Sequence, residues 1–210
     1  MLDIYRAGSA PAPFGALRSF SDITLAAGAG SRTHHHREAE VLTLVLAGAL
    51  TYKDAGDNIE TIPAGHIHRL SAGLGLTHAE ANLADAPARY LQIEIAPDIY
   101  GARPASELRA LPPAGAAGSL YLLASGDETA GALLILQDAA LYLSELAAGQ
   151  ALERPLDAQR GAAIFVLEGQ VELNGVELGA GDQARLTDEP ALRLRALTPA
   201  RLLLLDLPHP

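Results

Sequence analysis

The amino-acid sequence predicts an all-β protein that contains two copies of one barrel module. Three observations support this prediction. Short strand-like segments recur at roughly 8–12-residue spacing, as they do in β-sandwiches and barrels. Residues typical of turns, mainly Gly, Pro, Asp and Asn, separate these segments. The second half of the 210-residue chain also echoes the order of strands and turns in the first half.

Strands and turns alternate regularly in the first half of the chain. Four segments there read as strands: residues 41–46, 49–53, 59–62 and 89–95. The turn sequence Asp54-Ala55-Gly56-Asp57-Asn58 separates the second of them from the third, and Pro63-Ala64-Gly65 follows the third. The last segment alternates apolar and polar residues with a period of two, which is typical of a half-buried strand.

A compositional change near the middle of the chain predicts the domain boundary. The stretch from residue 100 to 118 is rich in Ala, Pro and Gly, and residues 105–109 are its only hint of a helix. We therefore predict an N-terminal domain at residues 1–100, a linker or crossover at 101–118 and a C-terminal domain at 119–210.

The second half repeats two blocks of the first. Residues 165–169 (Phe-Val-Leu-Glu-Gly) resemble residues 44–48, and residues 179–182 resemble residues 63–66. Glycines at such points allow a positive φ without a Cβ clash. The second half contains no histidine except His209, so we expect it to bind no metal. Its barrel should be filled by inward apolar residues, which we predict to include Ile164, Val166, Val171, Leu173 and Leu186.

Composition excludes several classes of function. The formal net charge is −10 and the basic residues are scattered, so no basic stripe is present to bind nucleic acid. The chain has no cysteine, which excludes disulfides and thiolate metal sites. No apolar run approaches the roughly 20 residues that span a bilayer, and the first residues do not resemble a signal peptide. We therefore expect a cytoplasmic protein with no membrane partner.

Six of the seven histidines lie between positions 34 and 78, and they predict a metal site. His34 and His36 form one pair with i, i+2 spacing, and His78 and Glu80 form another. Alternate side chains of a strand point to the same face, so two such pairs on neighbouring strands would converge. Three imidazoles and one carboxylate suit Fe, Mn, Ni, Cu or Zn better than Ca or Mg.

Residues 14–96 resemble the N-terminal cupin domain of the pirin family, the bicupin proteins that include bacterial quercetin dioxygenases. The blocks that carry the resemblance are residues 14–18, 34–37, 40–48, 63–65 and 71–80. It implies two double-stranded β-helix (jelly-roll) barrels and the metal ligands His34, His36, His78 and Glu80. The implied metal is one divalent transition metal, Fe(II) first, with Ni, Cu, Mn or Zn as alternatives.

The chain departs from the pirin pattern in ways that leave a second ligand set open. His35 stands where the family usually has Pro, and His66 and His68 stand where it has an acidic residue and Gln. The general cupin pattern, His-x-His-x3-Glu with Pro-x-Gly-x2-His, is also satisfied by His34, His36, Glu40 and His68. We favour the pirin set, because the whole block from Ser71 to Glu80 matches it. His68 would then line the cavity or hold a ligand or a metal-bound water.

The resemblance implies an O2-dependent dioxygenase that cleaves a flavonol such as quercetin, or a related enol, in an oxidoreductase reaction. Glu80 would serve as both metal ligand and catalytic proton acceptor. The aromatic residues that could line the pocket are few: Phe14, Phe20, Tyr52 and Tyr90. Two alternatives stay open: a non-catalytic, redox-sensing metalloprotein that binds a protein partner, and a zinc-loaded isomerase or lyase. We expect a monomer, because paired barrels can cover each other's strand edges.

Overall fold

The computed structural model describes residues 1–9, 11–112, 119–129 and 131–208. Within these ranges the chain forms twenty β-strands and no helix, which confirms the all-β prediction. No helix in the described part of the chain is long and apolar enough to cross a membrane. The chain divides into two compact units, and each is built from two sheets.

The first unit comprises Leu17–Leu111 together with Ile135–Gln137. Its five-stranded sheet has the order β10 (Ala105–Ala110), β7 (His66–Ser71), β4 (Glu40–Ala47), β9 (Ala88–Ile95) and β2 (Leu17–Leu25). Its four-stranded sheet has the order β3 (His34–His36), β8 (Leu76–Ala81), β5 (Ala49–Asp54) and β6 (Ile59–Pro63). The four strands predicted in this half from the sequence are therefore confirmed as β4, β5, β6 and β9.

The core of the first unit shows which strand face is the interior. Residues with period-two spacing from both sheets share one buried cluster, including Val41 and Val45 of β4 and Leu50 and Tyr52 of β5. Since successive side chains of a strand alternate between faces, every second residue of these strands points into the barrel. Residues that lie directly opposite each other on paired strands share a face, so the pairing register identifies the interior positions of the neighbouring strands.

The second unit comprises residues 1–16, 112–134 and 138–210. Its seven-stranded sheet has the order β1 (Leu2–Tyr5), β18 (Gln183–Leu186), β15 (Arg160–Glu168), β20 (Ala200–Pro208), β13 (Ala140–Leu146), β11 (Ser119–Ser125) and β12 (Leu133–Leu134). Its four-stranded sheet has the order β14 (Ala151–Pro155), β19 (Ala191–Ala196), β16 (Gln170–Leu173) and β17 (Val176–Gly179).

The two units repeat the same local geometry, as the sequence predicted. Gly48 and Gly169 both have positive φ, +71° and +79°, and each follows a register shift in the preceding strand. The Gly65 amide donates to the Val45 carbonyl, and the Gly181 amide makes the equivalent bond to Val166. The predicted interior residues of the second barrel, Ile164, Val166, Val171, Leu173 and Leu186, all belong to its buried apolar cluster.

The division of the chain differs from the sequence-based boundaries in two places. β1 pairs with β18, so the first sixteen residues belong to the second unit rather than to the N-terminal domain. Residues 105–109, predicted as the only helical hint within the linker, belong to strand β10, which pairs with β7 along its whole length. This strand contains no β-branched or aromatic residue, so its intrinsic preference for β-structure is weak and pairing with β7 determines its conformation. Residues 113–118 of the predicted linker lie outside the described residues.

The glycine after the bulge in β15 allows a test of the repeated geometry. A Cβ at Gly169 would lie 2.1 Å from the Pro199 carbonyl oxygen, whereas at Gly175, also at positive φ, it would meet nothing within 4 Å. Both Gly→Ala changes should cost roughly 1–2 kcal/mol because of the positive φ. Gly169→Ala should cost about 1–3 kcal/mol more, because the Pro199 carbonyl must move. Urea unfolding followed by circular dichroism measures the difference, and equal midpoints would contradict the described turn.

Candidate metal centre

Strands β3 and β8 bring the predicted histidines together. They pair antiparallel, with His34 opposite His78 and His36 opposite Leu76. Leu76 packs against the core of the first unit, so the side chains at alternate positions of both strands point into the barrel. His34, His36, His78 and Glu80 therefore all lie on the interior face.

Three imidazole rings meet in the interior of the barrel. The ring centroids are 4.4 Å apart for His34 and His78, 5.0 Å for His34 and His36, and 5.1 Å for His36 and His78. One ligand nitrogen from each ring lies within 4.8 Å of the other two. Among the described residues, these three histidines are the one group of His, Asp or Glu gathered closely enough to hold a metal ion.

The partners of the ring nitrogens leave each histidine able to bind a metal. His34 Nδ1 lies 3.0 Å from the Arg32 carbonyl oxygen. A proton on Nδ1 would be donated to that carbonyl and would leave the Nε2 lone pair free. His36 Nε2 and His78 Nδ1 are buried without a hydrogen-bond partner in the described structure. Because buried polar atoms are rarely left unpaired, these two nitrogens indicate a binding partner.

The electrostatic surroundings favour the neutral form of His36 and His78. Burial, assisted by the nearby His34 and His36, lowers the pKa of His78 to about 3. Burial also lowers the pKa of His36, although Glu94, whose Oε2 is 3.6 Å from His36 Nδ1, opposes the shift. Histidine must be neutral to bind a metal. Burial therefore favours the neutral imidazole, which is the form that can bind a metal.

Glu80 is buried beside the histidines but does not join them. Its carboxylate lies outside the group of three ring nitrogens and accepts hydrogen bonds from the Gln92 side-chain amide, at 3.2 Å to each oxygen. Burial raises the pKa of Glu80, while His34 and the hydrogen bond from Gln92 act in the opposite direction. Gln92 was not among the residues predicted from the sequence, and it lies at an interior position of the predicted strand at residues 89–95.

A layer of polar side chains crosses the barrel next to the three histidines. Tyr52 of β5 pairs in register with Glu80 of β8 on one side and Glu60 of β6 on the other. In the facing sheet, Thr43 of β4 pairs with His68 of β7 and Gln92 of β9. We call these six side chains the polar layer: Thr43, Tyr52, Glu60, His68, Glu80 and Gln92. The bond from Gln92 to Glu80 and the ring contact between Tyr52 and His68, with centroids 5.2 Å apart, join the two sheets.

The alternative ligand set is not gathered at one point. His68 lies outside the group of three histidines, and its Nε2 is 3.5 Å from Glu60 Oε2. Glu40 accepts a 2.8 Å hydrogen bond from the Ser71 hydroxyl. It directly precedes Val41, an interior residue, so its side chain points to the opposite face of β4. Burial raises the pKa of Glu40 to about 6.

The remaining residues singled out in the sequence take separate places. His35 faces away from the barrel interior, with Nδ1 3.0 Å from the Thr77 hydroxyl. Of the candidate aromatic residues, Tyr52 and Tyr90 belong to the core of the first unit. Phe20 pairs with Ile93, one residue out of phase with Gln92, and so lies on the outer face. Phe14 is part of the second unit, where Arg185 stacks over its ring at 5.1 Å.

The equivalent positions of the second unit carry a different chemistry. Tyr52 and Leu173 each lie four residues after the matching glycines Gly48 and Gly169. From this correspondence, the strand registers place Leu192 and Leu194 at the positions of His78 and Glu80. The residue that faces Leu192, as His34 faces His78, is Arg154. Arg154 donates a 2.9 Å hydrogen bond to Asp206. A guanidinium cation held by a carboxylate therefore occupies the position of the candidate ligand His34. His209 lies outside the described residues.

The donor set of the first unit fits a transition metal. His36 and His78 each offer a buried ring nitrogen without a hydrogen-bond partner, and His34 offers Nε2 because its Nδ1 faces a carbonyl oxygen. Together with the buried Glu80 carboxylate nearby, they provide nitrogen and oxygen ligands but no sulfur. Such a set suits Fe, Mn, Ni, Cu or Zn. A mononuclear site with three or four protein ligands also leaves coordination positions open for a substrate.

Comparison with known proteins agrees with this geometry. Residues 7–95 match the family described as pirin, and residues 122–207 match the quercetinase C-terminal cupin domain. A quercetin 2,3-dioxygenase from Escherichia coli K12 is 35% identical over 196 residues, which cover 93% of this chain and 84% of that protein. A pirin-like protein from Caulobacter vibrioides is 36% identical over 194 residues, or 92% of this chain and 84% of that one.

Solved structures share the whole fold. The bacterial pirin YhhW from Escherichia coli, in complex with nickel(II), superimposes with a TM-score of 0.93 at 30% identity, over 100% of both chains. YhaK from Escherichia coli superimposes with a TM-score of 0.81 at 25% identity, over 99% of this chain and 94% of that one. The two β units are therefore two cupin barrels.

Proposed function

The chain belongs to the pirin family of bicupin proteins, and we propose that it is a mononuclear-metal dioxygenase that cleaves a flavonol of the quercetin type, or a related enol, with O2. The observation that carries the proposal is the meeting of His34, His36 and His78 within 4.8 Å in the barrel interior, with buried Glu80 on the same strand as His78. Relatives named quercetin 2,3-dioxygenase, 35% identical over most of the chain, support the same reaction.

The proposed metal is a divalent transition metal, with Fe(II) as the first choice. The nickel(II) complex of the pirin YhhW supports a metal of this class without selecting iron. His34, His36 and His78 would hold it, with Glu80 as a fourth ligand once its carboxylate turns from Gln92. A bound metal of this kind supplies a Lewis acid for a substrate oxygen and an electron route between the substrate and O2.

Glu80 is the residue that we propose as the proton acceptor. A carboxylate whose pKa is raised by burial is a stronger base than one in water, and burial raises the pKa of Glu80. It would take the proton from the enol hydroxyl as the substrate binds. Before a metal binds, Gln92 holds this carboxylate through an amide that contacts both oxygens. In the flavonol reaction O2 is consumed, the central ring opens and carbon monoxide is released.

The ligand assignment predicts how metal content responds to substitution. His78→Ala should reduce metal affinity by more than the roughly 10–100-fold typical of losing a residue that only supports a ligand. His68→Ala should leave most of the metal bound, and His66→Ala, in the same strand β7, is the matched control. Elemental analysis of protein purified without a histidine tag measures the metal per chain. A metal-free His68 variant beside a loaded His78 variant would contradict the assignment and favour the general cupin set.

The role of Glu80 predicts a separate loss of turnover. Glu80→Gln keeps the size of the side chain but cannot accept the proton, so turnover of quercetin in air should fall about 10²–10⁴-fold. The control Glu153→Gln, on an exposed side chain of the second unit, should leave turnover unchanged. Quercetin absorbance and O2 uptake are measured with Fe(II), Mn(II), Ni(II) or Cu(II) restored in turn.

Equal quercetin decay in wild type and in a His34→Ala/His36→Ala variant would show that the reaction does not occur at this site. Equal decay in air and under argon would contradict O2 dependence. Either result would favour a non-catalytic, redox-sensing metalloprotein, provided that the wild type still holds one metal per chain.

A further inference from the structure

Two buried polar atoms of the polar layer have no hydrogen-bond partner. The Tyr52 hydroxyl and His68 Nε2 make no hydrogen bond in the described structure, and the two residues are only 3% and 2% exposed. Neither residue belongs to the three-histidine group. Burial of a polar group without a hydrogen bond is destabilising. Unpaired buried groups in a native structure require an explanation, and a guest that supplies the missing bonds would provide one.

The second barrel shows that the fold does not require this polar layer. Counted from Gly48 and Gly169, the positions of Tyr52 and Glu60 are Leu173 and Val176 in the second unit. The full set of equivalent residues is Ile164, Ala184, Leu204, Leu173, Val176 and Leu194. All six are apolar, and five of them form part of one buried core. Polar side chains at the same level of the first barrel therefore have a role other than folding.

The layer lies directly beside the candidate metal ligands. The Tyr52 ring is in contact with His78, with centroids 5.1 Å apart, and with His68, at 5.2 Å. Glu80, the neighbour of Tyr52 in register, supplies an acceptor, and the tyrosine hydroxyl supplies a donor. His68 Nε2 is 3.5 Å from Glu60 Oε2 but makes no hydrogen bond with it.

We propose that Tyr52 and His68 form a hydrogen-bonding subsite that recognises a carbonyl oxygen next to the reacting hydroxyl of the substrate. This inference rests on the proposed function and specifies its substrate class, an α-hydroxy enone, in which the hydroxyl and carbonyl oxygens are on adjacent carbons. The hydroxyl faces Glu80, which accepts its proton. The neighbouring carbonyl oxygen accepts hydrogen bonds from the Tyr52 hydroxyl and from His68. A donor pair and an acceptor on one layer match the two oxygens of such a group.

The ring contact between Tyr52 and His68, with centroids 5.2 Å apart, makes the subsite depend on the residue at position 68. An imidazole is wider and stiffer than a carboxamide. The choice of substrate should therefore respond to substitution at position 68 without a change in the metal ligands.

Binding of two small probes to the nickel(II)-loaded protein tests the subsite. Maltol carries a hydroxyl next to a ring carbonyl, whereas phenol offers one oxygen only. In isothermal titration, Tyr52→Phe and His68→Leu should each weaken maltol binding roughly 10-fold, the equivalent of one hydrogen bond. His68→Gln should restore part of the affinity. Phenol should bind wild type and variants equally, and nickel affinity should stay unchanged.

Matched controls separate recognition from folding. Tyr100→Phe changes an exposed tyrosine, and His66→Gln changes a histidine on the same strand outside the polar layer. Both should bind maltol like the wild type. Thermal unfolding by circular dichroism verifies that each nickel-loaded variant is folded. Should His68→Leu fail to fold, Tyr52→Phe and the conservative His68→Gln carry the test.

Three outcomes decide the proposal independently of turnover. Unchanged maltol affinity in folded, nickel-loaded Tyr52→Phe and His68→Leu variants overturns the subsite, while quercetin turnover would still support the proposed function. Loss of nickel from His68→Leu overturns it as well, because His68 would then be a metal ligand. Selective loss of maltol binding supports the subsite even if no O2 uptake is detected, and in that case the proposed reaction alone fails.

Discussion

The pairing register of β3 with β8 is the constraint on which the candidate site depends. With His34 opposite His78, two i, i+2 pairs point into the barrel from neighbouring strands and three rings meet. A slip of one residue would turn one strand's ligands to the outer face, because side chains alternate along a strand. Leu76 helps to hold the register, since it faces His36 and packs against the core. The apolar interior thus positions the polar site.

The two barrels show how one scaffold supports two interiors. In the second unit the positions of the polar layer are apolar, and the position of His34 is taken by Arg154, which pairs with Asp206 and stacks over Tyr142 at 4.7 Å. The interior of that barrel is filled by packed apolar side chains. In the first unit the Tyr52 hydroxyl and His68 Nε2 are buried at this level without a hydrogen-bond partner. Such groups lower the stability of the folded state unless a bound molecule supplies the missing hydrogen bonds. At the level of the proposed site, the first barrel therefore lacks the apolar packing that the second barrel has.

Local spacing was enough to predict the histidine cluster, because period-two alternation and two adjacent strands determine which side chains share a face. It was not enough for features that depend on distant pairing. Strand β10 has a weak local preference and forms against β7, and β1 joins β18 from the other end of the chain. Gln92 was missed because alternation in residues 89–95 does not reveal which face is the interior. The polar layer depends on six strands and no local pattern.

We expect one metal ion to bind between His34, His36 and His78 in the first barrel. Crystals of the protein loaded with nickel(II), measured at the nickel absorption edge, test it most directly. We predict one anomalous peak per chain, in contact with a ring nitrogen of each of these three histidines and with Glu80 turned from Gln92 toward it. A peak at His68 and Glu60, a peak in the second barrel, or no peak at the three histidines would contradict it.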